Sequence, residues 1–187
     1  MAFYIALNDE ANDLLATSPF ALLVGMVLDQ QIPMERAFIA PYLLAQRLGG
    51  ELTPQRLLDM DIADVEKVFG EKPALHRFPA SMAKRVVEVA RIVVDTYQGE
   101  AAAIWRDAKD GDDLMKRLTS LPGFGKDKAK IFMALLGKQV GLEVPKWREA
   151  CDPFGDEGTF MSVADIVDAE SMTQVRNFKQ AMKAAKK

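Results

Sequence analysis

The segment Leu121-Pro-Gly-Phe-Gly-Lys-Asp-Lys-Ala129 carries residue types that can hold a phosphate largely through backbone groups. Glycines at 123 and 125 are expected to take positive φ and to let another backbone come close. Pro122 fixes φ on the way into the turn. A helix beginning near Gly125 would present its first N–H groups, which have no partner inside the helix, at the positive end of the helix dipole. That is a phosphate site. Lys126, Lys128 and Lys130 crowd the same turn, while Ala129, Ile131, Ala134 and Leu135 can face a preceding helix.

A second candidate lies about 90 residues upstream. Gln30 and Gln31 end the apolar run Phe20–Leu28, with Asp29 between run and pair. A glutamine side chain both donates and accepts hydrogen bonds, which suits it to read an unpaired base edge. Charge is distributed accordingly. The chain has a net charge of −3, but residues 116–138 hold Lys116, Arg117, Lys126, Lys128, Lys130 and Lys138 against Asp127 alone, a net of +5 that leaves −8 elsewhere. A basic patch on an acidic body suits contact with a polyanion at one place.

The elements that must position these residues read as helices, giving an all-α fold. Ser18-Pro19 opens a helix that runs to Gln31. Further helices are expected over 33–48, from Thr53-Pro54, over 60–70, over Pro79–Tyr97, over 101–108, over 112–119, from Gly125 to about Lys138, and over 171–184. Val140–Phe160 is rich in Pro and Gly and is expected to be irregular or made of short turns. With 187 residues and 49% hydrophobic content, one compact unit or two small lobes can form. No apolar run approaches the roughly 18 residues of a membrane span, and no basic segment precedes an apolar one at the N-terminus, so a cytoplasmic, nucleoid-associated protein is expected. One cysteine, Cys151, and one histidine, His76, cannot supply a zinc site or a four-cysteine iron–sulfur cluster. Cys151 reads as a partly buried thiol and His76 as a loop residue without a catalytic part.

Leu-Pro-Gly-x-Gly-x-x-x-Ala, read here as residues 121–129, resembles the helix-hairpin-helix of DNA-binding proteins. Together with an apolar helix ending in Gln-Gln and the short helices between, over about residues 20–150, the chain resembles the HhH-GPD superfamily of base-excision DNA glycosylases, in its branch without an iron–sulfur cluster. The resemblance implies two helical lobes with double-stranded DNA over the cleft between them. One lobe spans about residues 32–138 and contains the hairpin. The other joins about residues 1–31 to 139–187. It implies that Leu121, Pro122, Gly123, Phe124, Gly125, Lys126 and Lys128 meet the DNA backbone, and that Gln30 or Gln31 enters the gap left by a nucleotide turned out of the stack. No metal or organic cofactor is expected, beyond a monovalent cation held by hairpin carbonyls. A monomer is expected. Trp147 and Phe154 fall where the resemblance puts the base pocket.

Two departures bear on the chemistry. The family's Val-Asp, whose carboxylate stabilises positive charge on the sugar or helps a water attack, falls on Val144-Pro145. Proline can do neither, so Asp152, Glu143 or Glu149 would have to substitute, with Asp152 preferred. The family's lyase lysine falls on Asp127, which argues against a Schiff-base step. A monofunctional N-glycosylase with an atypical acid and a DNA-binding relative without catalysis both fit. A helical module that has lost DNA binding fits less well, because of the lysines.

Overall fold

The computed structural model describes residues 3–186. Eleven α-helices follow one another among them, with no strand. They are α1 Asp9–Thr17, α2 Pro19–Leu28, α3 Met34–Arg47, α4 Pro54–Leu58, α5 Ile62–Gly70, α6 Pro79–Tyr97, α7 Ala103–Arg106, α8 Gly111–Thr119, α9 Lys126–Leu135, α10 Trp147–Ala150 and α11 Ala169–Ala185. No single helix among the described residues is long and apolar enough to cross a membrane.

The centre of the molecule is α2. Ser18 caps it by accepting the Ala21 N–H at 3.2 Å, and Pro19 stands at its first position. From Phe20 to Leu28 every residue is buried. A helix apolar on all sides must be surrounded, and α1 and α3 pack on it, with α6 beyond. The approach of α3 depends on Gly25: a Cβ there would lie 2.7 Å from Cδ1 of Phe38. The helix stops at Leu28, three residues short of the expected end, because Asp29 leaves helical geometry with ψ 70° and Gln31 takes φ 57°.

Residues Met82, Val86, Val89, Ala90 and Val93 form the buried stripe of α6, and α4 and α5 pack across that helix. Leu114 and Leu118 of α8 face Ala129, Phe132 and Met133 of α9 across the hairpin. The hydrophobic core is one continuous cluster from Phe3 to Val175.

Two elements depart from the sequence-based expectation, and the segment after the hairpin helix agrees with it. Helix α1 was not expected. Its signals are an Asn8 cap that accepts the Ala11 N–H at 2.7 Å and acids Asp9 and Glu10 in its first turn. The hairpin helix is α-helical only to Leu135 and continues as one π turn, Leu136–Val140. The segment after it holds α10 and a 3₁₀ turn at Val163–Asp165 within otherwise irregular chain.

That segment is fastened by lysines of the basic patch. Lys130 Nζ donates to the Asp152 carbonyl at 2.6 Å. Lys138 Nζ donates to Asp165 Oδ1 at 2.6 Å, with both side chains largely buried. Oδ2 of Asp165 accepts the N–H groups of Met161 and Ser162 at 2.8 and 3.1 Å. Lys138→Ala therefore leaves a buried carboxylate with two amides but no counter-charge. It should lower unfolding free energy by roughly 3 kcal/mol, read as a shifted urea midpoint with far-UV helicity retained.

Candidate nucleic-acid interface

The hairpin turn is built from below by its apolar members. Leu121 and Phe124 are buried, and the Phe124 ring packs edge-on against Phe132 at 5.9 Å between centroids. Trp105 packs edge-on against Phe132 from the other side at 5.6 Å. Leu121 and Phe124, expected at the DNA contact, anchor the turn with side chains that face the core, which leaves only their backbone groups for a ligand. The N–H of Phe124 closes the turn on the Leu121 carbonyl at 3.1 Å.

The two glycines do different work. Gly123 takes φ 83°, and a Cβ there would lie 2.6 Å from Cδ of Arg85. Gly125 has φ −75°, so the expected positive φ is absent there; it is the N-cap of α9 and a Cβ on it would meet open space. No side chain caps α9, whereas Asn8, Ser18, Thr53, Asp110 and Asp168 cap α1, α2, α4, α8 and α11. The first-turn amides of α9 thus stand open to an anion.

The patch of cations divides by function. Lys116 and Lys126 are exposed. Lys130 and Lys138 are spent on the segment that follows. Arg117 is held by Asp113 and by the carbonyls of Ala103, Ile104 and Asp107. Lys128 turns inward: its Nζ donates to the Val27 carbonyl at 3.1 Å, at the last turn of α2. Burial pushes the Lys128 ammonium down to about 8, against the pull of Asp29.

Arg85, which sequence reasoning missed, joins the two motifs. Its aliphatic stem lies on Gly123 and its NH1 donates to Gln30 Oε1 at 3.3 Å. The Gln30 amide nitrogen donates to the Val27 carbonyl at 3.0 Å. Gln30 is therefore tied down, and Gln31 is the exposed member of the pair. His76 stands in the loop between α5 and α6, as expected, and is also part of this frame. It is 1% exposed. Its Nε2 contacts the Gln30 carbonyl at 3.0 Å and its Nδ1 accepts the Phe78 N–H at 3.0 Å. That pattern requires a neutral ring protonated on Nε2. Burial lowers its pKa below the ordinary 6.5, with the hydrogen bond to Gln30 opposing.

Beside this seam lies a cavity of about 940 Å³, walled by the end of α2 and the Asp29–Pro33 link, by Lys128 and Ile131 of α9, and by Arg176, Phe178, Lys179 and Lys183 of α11. Asp29, Gln30, Gln31 and Lys128 all line it.

This geometry joins a hairpin with open amides to a Gln-Gln helix end, and the family model for the HhH-GPD superfamily base excision DNA repair protein matches residues 24–187. The chain belongs to the HhH-GPD superfamily. No curated protein and no solved structure matches it. Membership in this base excision DNA repair superfamily makes DNA the substrate of the chain.

The remaining candidates of this HhH-GPD chain stand elsewhere. Trp147 and Phe154 do not line the cavity. The Trp147 indole is laid over Gly137, where a Cβ would lie 2.3 Å from it, with the Arg148 guanidinium 4.5 Å above the ring. Phe154 packs half-buried against the core. Glu143, Glu149 and Asp152 are exposed and do not line the cavity either. Pro145 gives its carbonyl to the Gly111 N–H at 2.8 Å, which ties its segment to the start of α8.

Gly125→Val should keep the wild-type melt and weaken duplex binding, since only the approach to the α9 amides is blocked. Gly123→Ala should lower the melting temperature and weaken binding together, through left-handed strain of about 1–2 kcal/mol and displacement of Arg85. Anisotropy titrations beside thermal melts check both.

His76 adds a pH dependence. Its folded pKa is depressed, so its contribution to stability is complete above the ordinary 6.5 and is lost as pH falls from there through the folded value. Urea midpoints should drop as pH is lowered from 7 to 5, and His76→Gln should flatten that slope.

Proposed function

We propose that the protein acts as a monomer on duplex DNA and hydrolyses the N-glycosidic bond of a damaged or mismatched base, as a monofunctional glycosylase without lyase activity. The observation that carries this reading is the meeting, at one cavity, of the Gln30-Gln31 link with the inward-turned first turn of the hairpin helix. A phosphate held at the amides of Gly125, Lys126 and Asp127 would set the backbone beside that cavity. A flipped nucleotide would enter it, and Gln31 would face the gap. A volume of about 940 Å³ is ample for one nucleotide.

The reading includes a monovalent cation at the hairpin. Leu121 accepts the Phe124 N–H and Gly125 accepts that of Ala129, which leaves the carbonyls of Pro122, Gly123 and Phe124 free of backbone donors among the described residues. Those oxygens would hold the cation, which when bound supplies positive charge toward a phosphate. The absence of a lyase step rests on Asp127, exposed at the family's lysine position.

A second reading, a relative that binds DNA or damage without cleaving it, is favoured by Pro145 at the place of the family's acid. One experiment separates the two. Duplexes carrying uracil, hypoxanthine, 8-oxoguanine or an alkylated purine are incubated with excess protein, and free base, strand scission and borohydride-trapped adduct are measured. Free base with an intact abasic strand and no adduct is the expected result. Tight binding without release from any duplex would establish the second reading. A trapped adduct would end the monofunctional assignment and point to Lys128, which lines the cavity with the Gln-Gln link.

A further inference from the structure

The cavity beside the Gln-Gln link has two carboxylates on its wall, Asp29 and Glu35. Glu35 is engaged, for its Oε1 accepts from Arg176 at 2.7 Å. Asp29 occupies the C-cap of α2. That is a poor electrostatic place for a carboxylate, because the C-terminal end of the helix dipole is negative. Its side chain is half-buried and accepts no hydrogen bond among those described, while its own backbone N–H is held by the Met26 carbonyl at 3.3 Å. Sites that break a local rule without a local return are where function is to be sought.

The counter-charge comes from across the seam. Lys128 spends one of its three donors on the Val27 carbonyl, two residues before Asp29. Lys179 of α11 lines the same cavity. Burial pushes the Asp29 carboxyl above the ordinary 3.8, with Lys179 and Lys128 pulling it back and Glu35 adding to the rise. An acid and a lysine both shifted by burial and facing one cleft mark a candidate functional site.

We propose that Asp29 is the catalytic carboxylate of the chain, acting on the sugar of the flipped nucleotide from the α2 side of the cleft, in place of the acid lost at Pro145. The proposal rests on the glycosylase reading above. The C1′–N bond breaks with both electrons going to the base nitrogen. The Asp29 carboxylate stabilises the positive charge left on C1′. A water oxygen adds to C1′, and the proton it releases passes to Asp29 and then to solvent. The departing base takes a proton from the Lys128 ammonium, which solvent restores. The sum is one water consumed, one free base and one abasic site formed. Lys128 thus serves as charge partner and proton donor, with its two remaining N–H groups free for the base.

The test is single-turnover base release by Asp29→Asn, on whichever duplex of the uracil, hypoxanthine, 8-oxoguanine and alkylated-purine set the wild-type protein processes. The expected result is a fall of about a hundredfold or more, with duplex affinity within about twofold of wild type and an unchanged melt. Asp29→Glu should recover part of the rate, and Asp29→Ser replaces the amide if that variant fails to fold. A rate for Asp29→Asn within about threefold of wild type would overturn this assignment and leave the glycosylase reading standing. So would a loss of rate matched by an equal loss of affinity, because Asp29 would then act in binding. No release by the wild-type protein from any duplex would overturn both together.

Discussion

The site depends on one partly buried hydrogen bond, from the Lys128 ammonium to the Val27 carbonyl. A desolvated ammonium is costly unless it is paired, and here the acceptor is a backbone oxygen in the last turn of an all-apolar helix. That acceptor is well chosen. The final carbonyls of a helix lack intrahelical partners and carry the negative end of its dipole. By meeting that need, Lys128 fixes the first turn of the hairpin helix against the end of α2. Gln30 shares the same acceptor through its amide, and Arg85 bonds that amide from the hairpin side. The two motifs are thereby one rigid object.

Around this object the fold is arranged to keep polar groups accounted for. No buried side-chain nitrogen or oxygen among the described residues lacks a partner. Inside the seam the partners come from far along the chain: His76 serves the Gln30 carbonyl, and Arg85 its side chain. Outside it, lysines of the hairpin helix hold down the segment that follows. The first-turn amides of α9 have no side-chain cap, and an outside ligand can use them.

The parts legible in the sequence were those with local causes. Ser18-Pro19 announced α2, the stripe from Met82 to Val93 announced α6, and Pro122-Gly123 announced the turn, each because a cap, a period or a fixed φ acts within a few residues. Inference stopped where a side chain had a choice of partner. Lysines at 126, 128, 130 and 138 look alike as charges, yet one is exposed, one turns into the seam and two bind later chain. Spacing on a helix states which face a residue takes but not which carbonyl waits there. Arg85 and Asp29 carry no local signal for the same reason: the partners that define them lie on other elements. Trp147 and Phe154 neighbour the expected cleft in sequence, yet neither lines the cavity beside the Gln-Gln link. In the fold, the bare surface of Gly137 draws the indole away.

The hydrogen bond that assembles the site spans 101 residues of sequence. Helices α2 and α9 can each begin to form from their own neighbours, but the seam between them closes only after the intervening chain has folded on itself. Closing so long a loop has an entropic cost that no local element offsets. A partly folded chain therefore has helices without a site. Conversely, a ligand that occupies the finished seam binds only the native state and shifts the folding equilibrium of the entire chain by mass action. Any ligand held across α2 and α9 is thus thermodynamically linked to completion of the fold.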